Sequence, residues 1–192
     1  YGNEIAIRLV LGCLRMVAAR LGVEVEPMFV ESDMHYYRTY VKVRNRPDQE
    51  ENIGYILHCK NCGHREISLE QKQECQLCNS KIEIAGPLWI GKIFDKTFIE
   101  DMLKQIPNLE VDKICEKTLN KCLLEAEMPA TYFTLDEVAK KMKSSPPKLE
   151  DVIENLQKKN FVASVTSFNP TGFRTNAKMN EIIEIFQLSN KT

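Results

Sequence analysis

Hydrophobic positions predict a buried helix and two strands in the first part of the chain. Residues 5–21 are apolar at almost every turn and end before Gly22, which suits a left-handed C-cap, so we expect a largely buried helix. The next two runs, residues 23–30 and 35–44, have the β-branched and alternating patterns of strands. The order of helix, strand and strand is typical of the trailing edge of an α/β sheet domain.

The middle of the chain is predicted to hold short strands followed by two helices. Residues 45–52 form a polar loop, and strand-like pieces follow at 53–58, 66–69 and 81–85. The run Thr97-Phe98-Ile99-Glu100 is a capping-box pattern, in which the Thr hydroxyl and the Glu carboxylate satisfy free N–H groups of a first helical turn. Helical spacing continues over residues 114–126, and Pro129 ends that helix.

The last third of the chain has the pattern of a winged helix-turn-helix. A short β-prone segment, 130–134, leads into a second capping box at Thr134 and Glu137, and a turn with Pro146 and Pro147 starts the next helix. Two strand-like runs then flank a turn at 169–172, and a last helix covers 179–186. The predicted order is therefore strand, helix, turn, helix and a two-stranded wing.

Composition excludes several classes of protein. The chain has 192 residues, of which 43% are hydrophobic and 28% charged, as in an ordinary soluble globular protein. Its net charge of −1 excludes a polybasic protein, so any contact with nucleic acid must come from a local patch. Arg8 and Arg15 interrupt the most apolar segment, which excludes a membrane span. The start at Tyr1, without a Met, leads us to expect a piece of a longer polypeptide.

Four of the seven cysteines have the spacing of a metal site. They form two CxxC knuckles separated by twelve residues, at Cys59, Cys62, Cys75 and Cys78. Two knuckles supply four thiolates and leave no open position, so we expect a structural Zn²⁺. The alternative is a set of unmetallated or redox-active thiols. His58 and His64 adjoin the knuckles, but four cysteines already complete the coordination sphere.

Two groups of basic and aromatic residues are candidates for contact with nucleic acid. One face of the strand at 35–44 carries Arg38 and Lys42 between tyrosines, although a plain exposed strand face explains this pattern at least as well. The second helix of the winged segment starts with Glu150 and Asp151, which argues against reading of a DNA major groove. The better candidates lie at the end of that helix and on the wing: Lys158, Lys159, Phe168, Phe173, Arg174 and Lys178. A domain that binds only protein is the alternative here.

Several runs together resemble one family, the archaeal type of the tRNA guanosine-26 N2,N2-dimethyltransferases, in its C-terminal half. The resemblance rests on the strand at 35–43, the paired CxxC knuckles, the run Gly86-Pro87-Leu88-Trp89-Ile90-Gly91 and the run from Ser167 to Ala177. The two long runs are the specific ones, since cysteine knuckles occur in many zinc ribbons. No nucleotide-binding loop and no hydrolase motif is present in the sequence.

The resemblance implies a fold and a function. It implies an α/β architecture in which residues 1–52 end a Rossmann-like methyltransferase domain that binds S-adenosylmethionine, 53–90 form a zinc ribbon-like module, and 91–192 form a tRNA-binding domain, winged-helix-like over 130–192. The complete enzyme would transfer methyl groups from S-adenosylmethionine to N2 of guanosine 26 in tRNA, in the cytoplasm. The family's Asp-Pro-Phe-type catalytic motif does not occur in this chain. We therefore expect the catalytic residues in an upstream domain and no activity from this chain alone.

A second class of function stays open at the level of sequence. A zinc ribbon combined with a winged helix also describes archaeal transcription factors that bridge polymerase and promoter without catalysis. In this chain the ribbon precedes the winged segment and an apolar half-sheet precedes both, and this order favours the methyltransferase.

Overall fold

A computed structural model of the protein describes residues 2–33, 35–45 and 52–189, which form two compact units. The first unit spans residues 2–99 and the second 100–189. Most of the polar loop predicted at 45–52 lies outside the described residues. Within the described residues, no helix combines the length and the hydrophobicity needed to cross a membrane.

The first unit contains one long helix, five strands and the start of a second helix. Its elements are α1 (Gly2–Arg20), β1 (Glu24–Asp33), β2 (Tyr36–Arg44), β3 (Ile53–His58), β4 (Arg65–Ser68), β5 (Glu83–Trp89) and α2 (Lys96–Gln105). Strands β1 and β2 form an antiparallel pair, and a second antiparallel sheet has the order β4-β3-β5. Gly22 has φ of +69°, which confirms the predicted left-handed end of α1. Asp95 rather than Thr97 caps α2, because the Asp95 carboxylate accepts a hydrogen bond of 2.7 Å from the N–H of Phe98.

Helix α1 is buried on one face only, so the prediction of a largely buried helix is wrong in extent. Ile7 and Leu11 are at most 1% exposed, and Gly12 lies so close to β5 that an added Cβ would be 2.9 Å from the Cα of Leu88. The opposite face is apolar and exposed, at Leu9, Val10, Leu14, Met16, Val17 and Leu21. The first unit therefore presents an apolar helix face to its surroundings.

A buried ion pair fixes α1 to the segment after β5. Glu4 and Arg8 are one helical turn apart, and the carboxylate accepts a hydrogen bond of 2.9 Å from Arg8 Nε. Arg8 Nη1 also donates to the main-chain carbonyls of Trp89, at 3.0 Å, and Gly91, at 2.9 Å. A buried guanidinium needs both a counter-charge and acceptors for its N–H groups, and this arrangement supplies them.

The second unit has the element order predicted from the sequence. It contains α3 (Lys113–Glu125), β6 (Phe133–Thr134), α4 (Leu135–Met142), α5 (Leu149–Lys158), β7 (Ala163–Val165), β8 (Gly172–Thr175) and α6 (Met179–Ser189). The three strands form one antiparallel sheet of order β6-β8-β7. The Thr134 side chain accepts a hydrogen bond of 3.2 Å from the N–H of Glu137, which confirms the helix start predicted there.

The core of this unit lies between α4, α5, α6 and the sheet. Phe173 on β8 and Phe186 on α6 are both fully buried, with ring centroids 6.4 Å apart. Other buried members come from each packed element: Phe133, Val138, Val152, Leu156, Ile182 and Ile185. The apolar stripes that predicted these helices are thus the surfaces that meet in the core.

A second buried ion pair joins the end of α3 to β8. Arg174 Nε donates to the Glu125 carboxylate at 2.6 Å, and both side chains are at most 2% exposed. Arg174 Nη1 donates to the carbonyls of Pro129, at 2.9 Å, and Thr131, at 3.1 Å. The same carboxylate accepts hydrogen bonds from Thr166 Oγ1 and from the N–H and hydroxyl of Ser167. One buried cation and one buried anion therefore hold α3, residues 129–131 and the β7–β8 connection together.

We predict that Arg174→Ala lowers the free energy of unfolding by about 3–5 kcal/mol, because it leaves the Glu125 carboxylate buried without its counter-charge. Urea denaturation followed by circular dichroism measures this change. The control is Lys140→Ala on the exposed surface of α4, for which we expect a change within about 0.5 kcal/mol. Equal stability of the two variants would contradict the structural role of Arg174.

Candidate metal centre and nucleic-acid surface

The four cysteines of the two knuckles come together at one point beside the β4-β3-β5 sheet. Their Sγ atoms all lie within 4.8 Å of one another. The Sγ of Cys59 lies 3.5 Å from that of Cys78, and the Sγ of Cys62 lies 3.6 Å from that of Cys75. A tetrahedral ion with metal–sulfur bonds of about 2.3 Å separates its ligands by about 3.8 Å. The four sulfurs are therefore placed to hold one metal ion.

Each knuckle is a tight turn whose backbone is fixed by hydrogen bonds. The N–H of Gly63 donates to the Cys59 carbonyl at 2.7 Å, and the N–H of Asn79 donates to the Cys75 carbonyl at 2.9 Å. Gly63 and Asn79 both adopt left-handed φ values, +81° and +54°. Glycine and asparagine are the residues that accept this conformation most readily, so the sequence itself favours the two turns.

The surroundings of the cluster shift the pKa values of two of its thiols in opposite directions. Hydrogen bonds from the side chain and the backbone of Ser80 lower the pKa of Cys78 to about 5, so this sulfur is a thiolate at neutral pH. Burial raises the pKa of Cys62 to about 12, so a metal that binds there must displace a proton. Leu57 and Ile82 pack around the buried Cys59 and Cys75, which makes the cluster part of a small core.

The structure corrects the predicted wing contacts. Arg174 is 2% exposed and engaged with Glu125, Phe173 is fully buried, and Phe168 is only 9% exposed with the Arg174 guanidinium 5.6 Å above its ring. None of the three can reach a phosphate or a base in this conformation. The physical reason is that the mixture of aromatic and basic residues predicted as a surface is instead a buried cation with its aromatic and anionic neighbours.

The predicted lysines of the second unit are exposed. Lys158, at the end of α5, forms a solvent-exposed ion pair with Glu154, with Nζ 3.3 Å from the carboxylate. Lys159 and Lys178 are exposed as well, and Lys178 lies directly before α6. These three side chains are accessible to a large anionic ligand.

The strand face predicted at β2 is exposed but only partly cationic. Arg38 Nη1 lies 3.2 Å from the Glu31 carboxylate, and its guanidinium is 4.8 Å above the ring of Tyr36. Hydrogen bonding to Tyr40 raises the pKa of Arg38, which keeps the guanidinium charged. Lys42 is exposed and pairs in register with Glu26 on β1. The acidic residues of β1 therefore offset part of the positive charge of this face.

Sequence reasoning did not identify the acidic partners of the buried arginines. Glu125 falls three residues after the buried Cys122 in the apolar pattern of α3, and Glu4 stands four residues before Arg8. Two patterns could have revealed these buried acids. One is a carboxylate within an apolar helical stripe, and the other is a carboxylate four residues from an arginine in such a stripe.

Comparison with known proteins gives a consistent match. Residues 1–187 match the family model described as N2,N2-dimethylguanosine tRNA methyltransferase. The tRNA (guanine(26)-N(2))-dimethyltransferases of Methanothermobacter thermautotrophicus and Methanobrevibacter smithii are 37% and 35% identical to this chain. The alignments cover 96% and 97% of the chain but 51% of each relative, so the chain spans about half the length of the curated relatives it matches.

A solved structure has the same fold. The structure of Trm1 from Pyrococcus horikoshii in complex with S-adenosyl-L-methionine superposes with a TM-score of 0.80 and 24% sequence identity. The match covers 95% of this chain and 49% of the Pyrococcus chain. The two units therefore have the fold of the corresponding part of an α/β methyltransferase.

We predict that the chain binds one Zn²⁺ and that Cys59→Ser abolishes stoichiometric binding, because a hydroxyl does not replace a thiolate in a four-sulfur site. Elemental analysis of the purified variants measures the metal content. Cys122→Ser is the matched control, since Cys122 is equally buried but lies outside the cluster. Retention of one zinc per chain by the Cys59 variant would contradict the assignment.

Proposed function

Because this chain belongs to the N2,N2-dimethylguanosine tRNA methyltransferase family, we propose that it is the C-terminal half of an enzyme that methylates N2 of guanosine 26 in tRNA. The match to the family model over residues 1–187 is the observation that carries this proposal. S-adenosylmethionine supplies the methyl group when it is bound. We place its binding site and the catalytic residues in an upstream half, since this chain accounts for about half of its relatives' length.

Two features of the first unit support the proposal that an upstream half of the enzyme packs against it. Helix α1 exposes an apolar face on which Val17 is 56% and Val10 47% exposed. Strand β2 pairs only with β1 among the described strands, so its second edge has no strand beside it. An apolar helix face beside an open sheet edge is what remains when part of an α/β sheet is removed. Residues 1–52 would then complete the catalytic sheet of the whole enzyme.

We infer that the four-cysteine cluster holds a structural Zn²⁺. Cys59, Cys62, Cys75 and Cys78 form a closed set of four sulfurs, so no position is left for water or substrate. The ion would join the loop after β3 to the loop before β5 and so fix residues 53–90 as a zinc ribbon-like module. Its contribution is to folding, and no step of the reaction depends on it.

The second unit is proposed to bind tRNA through a winged-helix-like segment at 130–192. Shape-based recognition of tRNA relies on contacts to phosphate and sugar groups, which exposed lysines can make. The candidates are the accessible cations Lys158, Lys159 and Lys178, together with Arg38 and Lys42 of the first unit. The buried Arg174, Phe168 and Phe173 would keep the segment in shape without touching the ligand. Such an enzyme acts in the cytoplasm, where tRNA is processed.

The competing hypothesis is a transcription factor-like module that bridges polymerase and promoter without catalysis. Its zinc ribbon and winged helix would explain residues 53–90 and 130–192 but not the exposed face of α1. The match of residues 1–187 to the family model favours the methyltransferase.

We predict that the complete polypeptide containing this chain transfers methyl groups from radiolabelled S-adenosylmethionine to a tRNA transcript, and that this chain alone does not. The control transcript carries adenosine in place of guanosine 26 and should stay unlabelled, because it lacks the N2 amine. Labelling of both transcripts would contradict the proposed position, and failure of the complete polypeptide to label either would contradict the activity.

We predict opposite sensitivities of this chain and of the complete polypeptide to Val17→Asp. In this chain Val17 is exposed, so thermal denaturation should give a free energy of unfolding within about 0.5 kcal/mol of the unsubstituted chain. In the complete polypeptide the carboxylate would be buried against the upstream half, with a loss of more than about 2 kcal/mol. Leu109→Asp, at a 60% exposed site of the second unit, is the matched control and should leave both proteins unchanged.

A further inference from the structure

Helix α3 carries a row of three lysines on its solvent-exposed face. Lys113, Lys117 and Lys121 follow one another at intervals of four residues, and all three are exposed. An interval of four residues advances about 6 Å along a helix and keeps side chains on one face. The row is therefore a line of three positive charges over about 12 Å. None of the residues identified as tRNA contacts from the sequence belongs to it.

The row is not neutralised from within the chain. The side chains of Lys113, Lys117 and Lys121 form no ion pair with any residue in the part of the chain that the structure describes. The acidic residue one turn after Lys121 is Glu125, whose carboxylate is buried and committed to Arg174. Some lysines elsewhere are paired, since the exposed Lys60 and Lys104 and the half-buried Lys72 each contact a carboxylate.

The row also opposes the stability of its own helix. Lys117 has lysines at both the i−4 and the i+4 positions, and like charges at this spacing repel each other. The positions three residues from Lys117, Ile114 and Asn120, offer no compensating charge, and the one acid at this spacing within α3 is Glu116, three residues after Lys113. A local arrangement that costs stability without an internal partner is typical of a site for an external ligand.

We propose that the lysine row of α3 binds the phosphate backbone of the tRNA, an inference that rests on the proposed function. Lysine ammonium groups act as point charges toward phosphates and need no fixed geometry, which suits a row of flexible side chains. Contacts of this kind position a nucleic acid without reading its sequence. The row adds a binding element in the second unit that is separate from the wing.

The test compares binding of an unmodified tRNA transcript to this chain and to a triple variant, Lys113→Gln with Lys117→Gln and Lys121→Gln, over a range of salt concentrations. Loss of three phosphate contacts should reduce the slope of log Kd against log salt concentration by about 2 to 3. It should also weaken binding by more than about tenfold at 0.15 M salt. The matched control replaces Lys60, Lys72 and Lys104 by Gln, which removes the same charge from paired positions, and should leave the slope nearly unchanged.

A single substitution separates ligand binding from a structural role. Lys117→Glu converts two repulsive pairs into two attractive ones, so the melting temperature should rise. The same change places a negative charge in the middle of the row, so tRNA binding should weaken more than with Lys117→Gln. A row that served only to stabilise the fold would not give a more stable variant.

The outcomes distinguish this inference from the function on which it rests. Tight tRNA binding by the unsubstituted chain, with an unchanged affinity and salt slope in the triple variant, would overturn the lysine row and leave the proposed function standing. That result would point to an acidic protein surface as the ligand of α3. Failure of the unsubstituted chain to bind tRNA would overturn the row together with the role of the second unit as a tRNA-binding domain.

Discussion

Burial of two arginines is the constraint on which both units depend. A guanidinium removed from water needs a counter-charge and acceptors for its N–H groups, and an incomplete set costs several kcal/mol. Arg8 meets this need with Glu4 and the carbonyls of Trp89 and Gly91. Arg174 places Nε against Glu125 and Nη1 against the carbonyls of Pro129 and Thr131, between α3 and β6. In each case the arginine joins chain segments far apart in sequence, so the positions of α1 on β5 and of α3 on β8 follow from it.

The same constraint gives a structural role to the two sequence runs that resemble the family. The run Gly86 to Gly91 supplies carbonyls to Arg8, and the run Ser167 to Ala177 contains Arg174 and the donors around Glu125. Both runs therefore help to hold the fold together. The one basic residue of the second run, Arg174, is a buried charge, and its guanidinium lies 5.6 Å above the ring of Phe168.

The sequence was informative where the signal is local and misleading where it depends on distant partners. The hydroxyl of Thr134, the left-handed Gly22 and the spacing of the knuckles are set by neighbours within a few residues, and all are found in the structure. The burial of Arg174 depends on Glu125, 49 residues earlier, and no local pattern reveals that pairing. The exposed face of α1 is a different case, since its hydrophobicity predicts burial but the described residues leave it exposed.

The near-neutral charge of the chain is compatible with RNA binding, because some cations are paired with acids and others are not. A net charge of −1 says little about the binding of polyanions, because it does not locate the charges on the molecule. Glu4 and Glu125 neutralise arginines in the interior, and surface acids such as Glu66 and Asp101 neutralise nearby lysines. The cations most readily available to an external polyanion are the exposed lysines that form no ion pair. Those on α3 form a row because they recur every four residues, and Glu125, the acid that helical spacing would place beside Lys121, is held inside by Arg174.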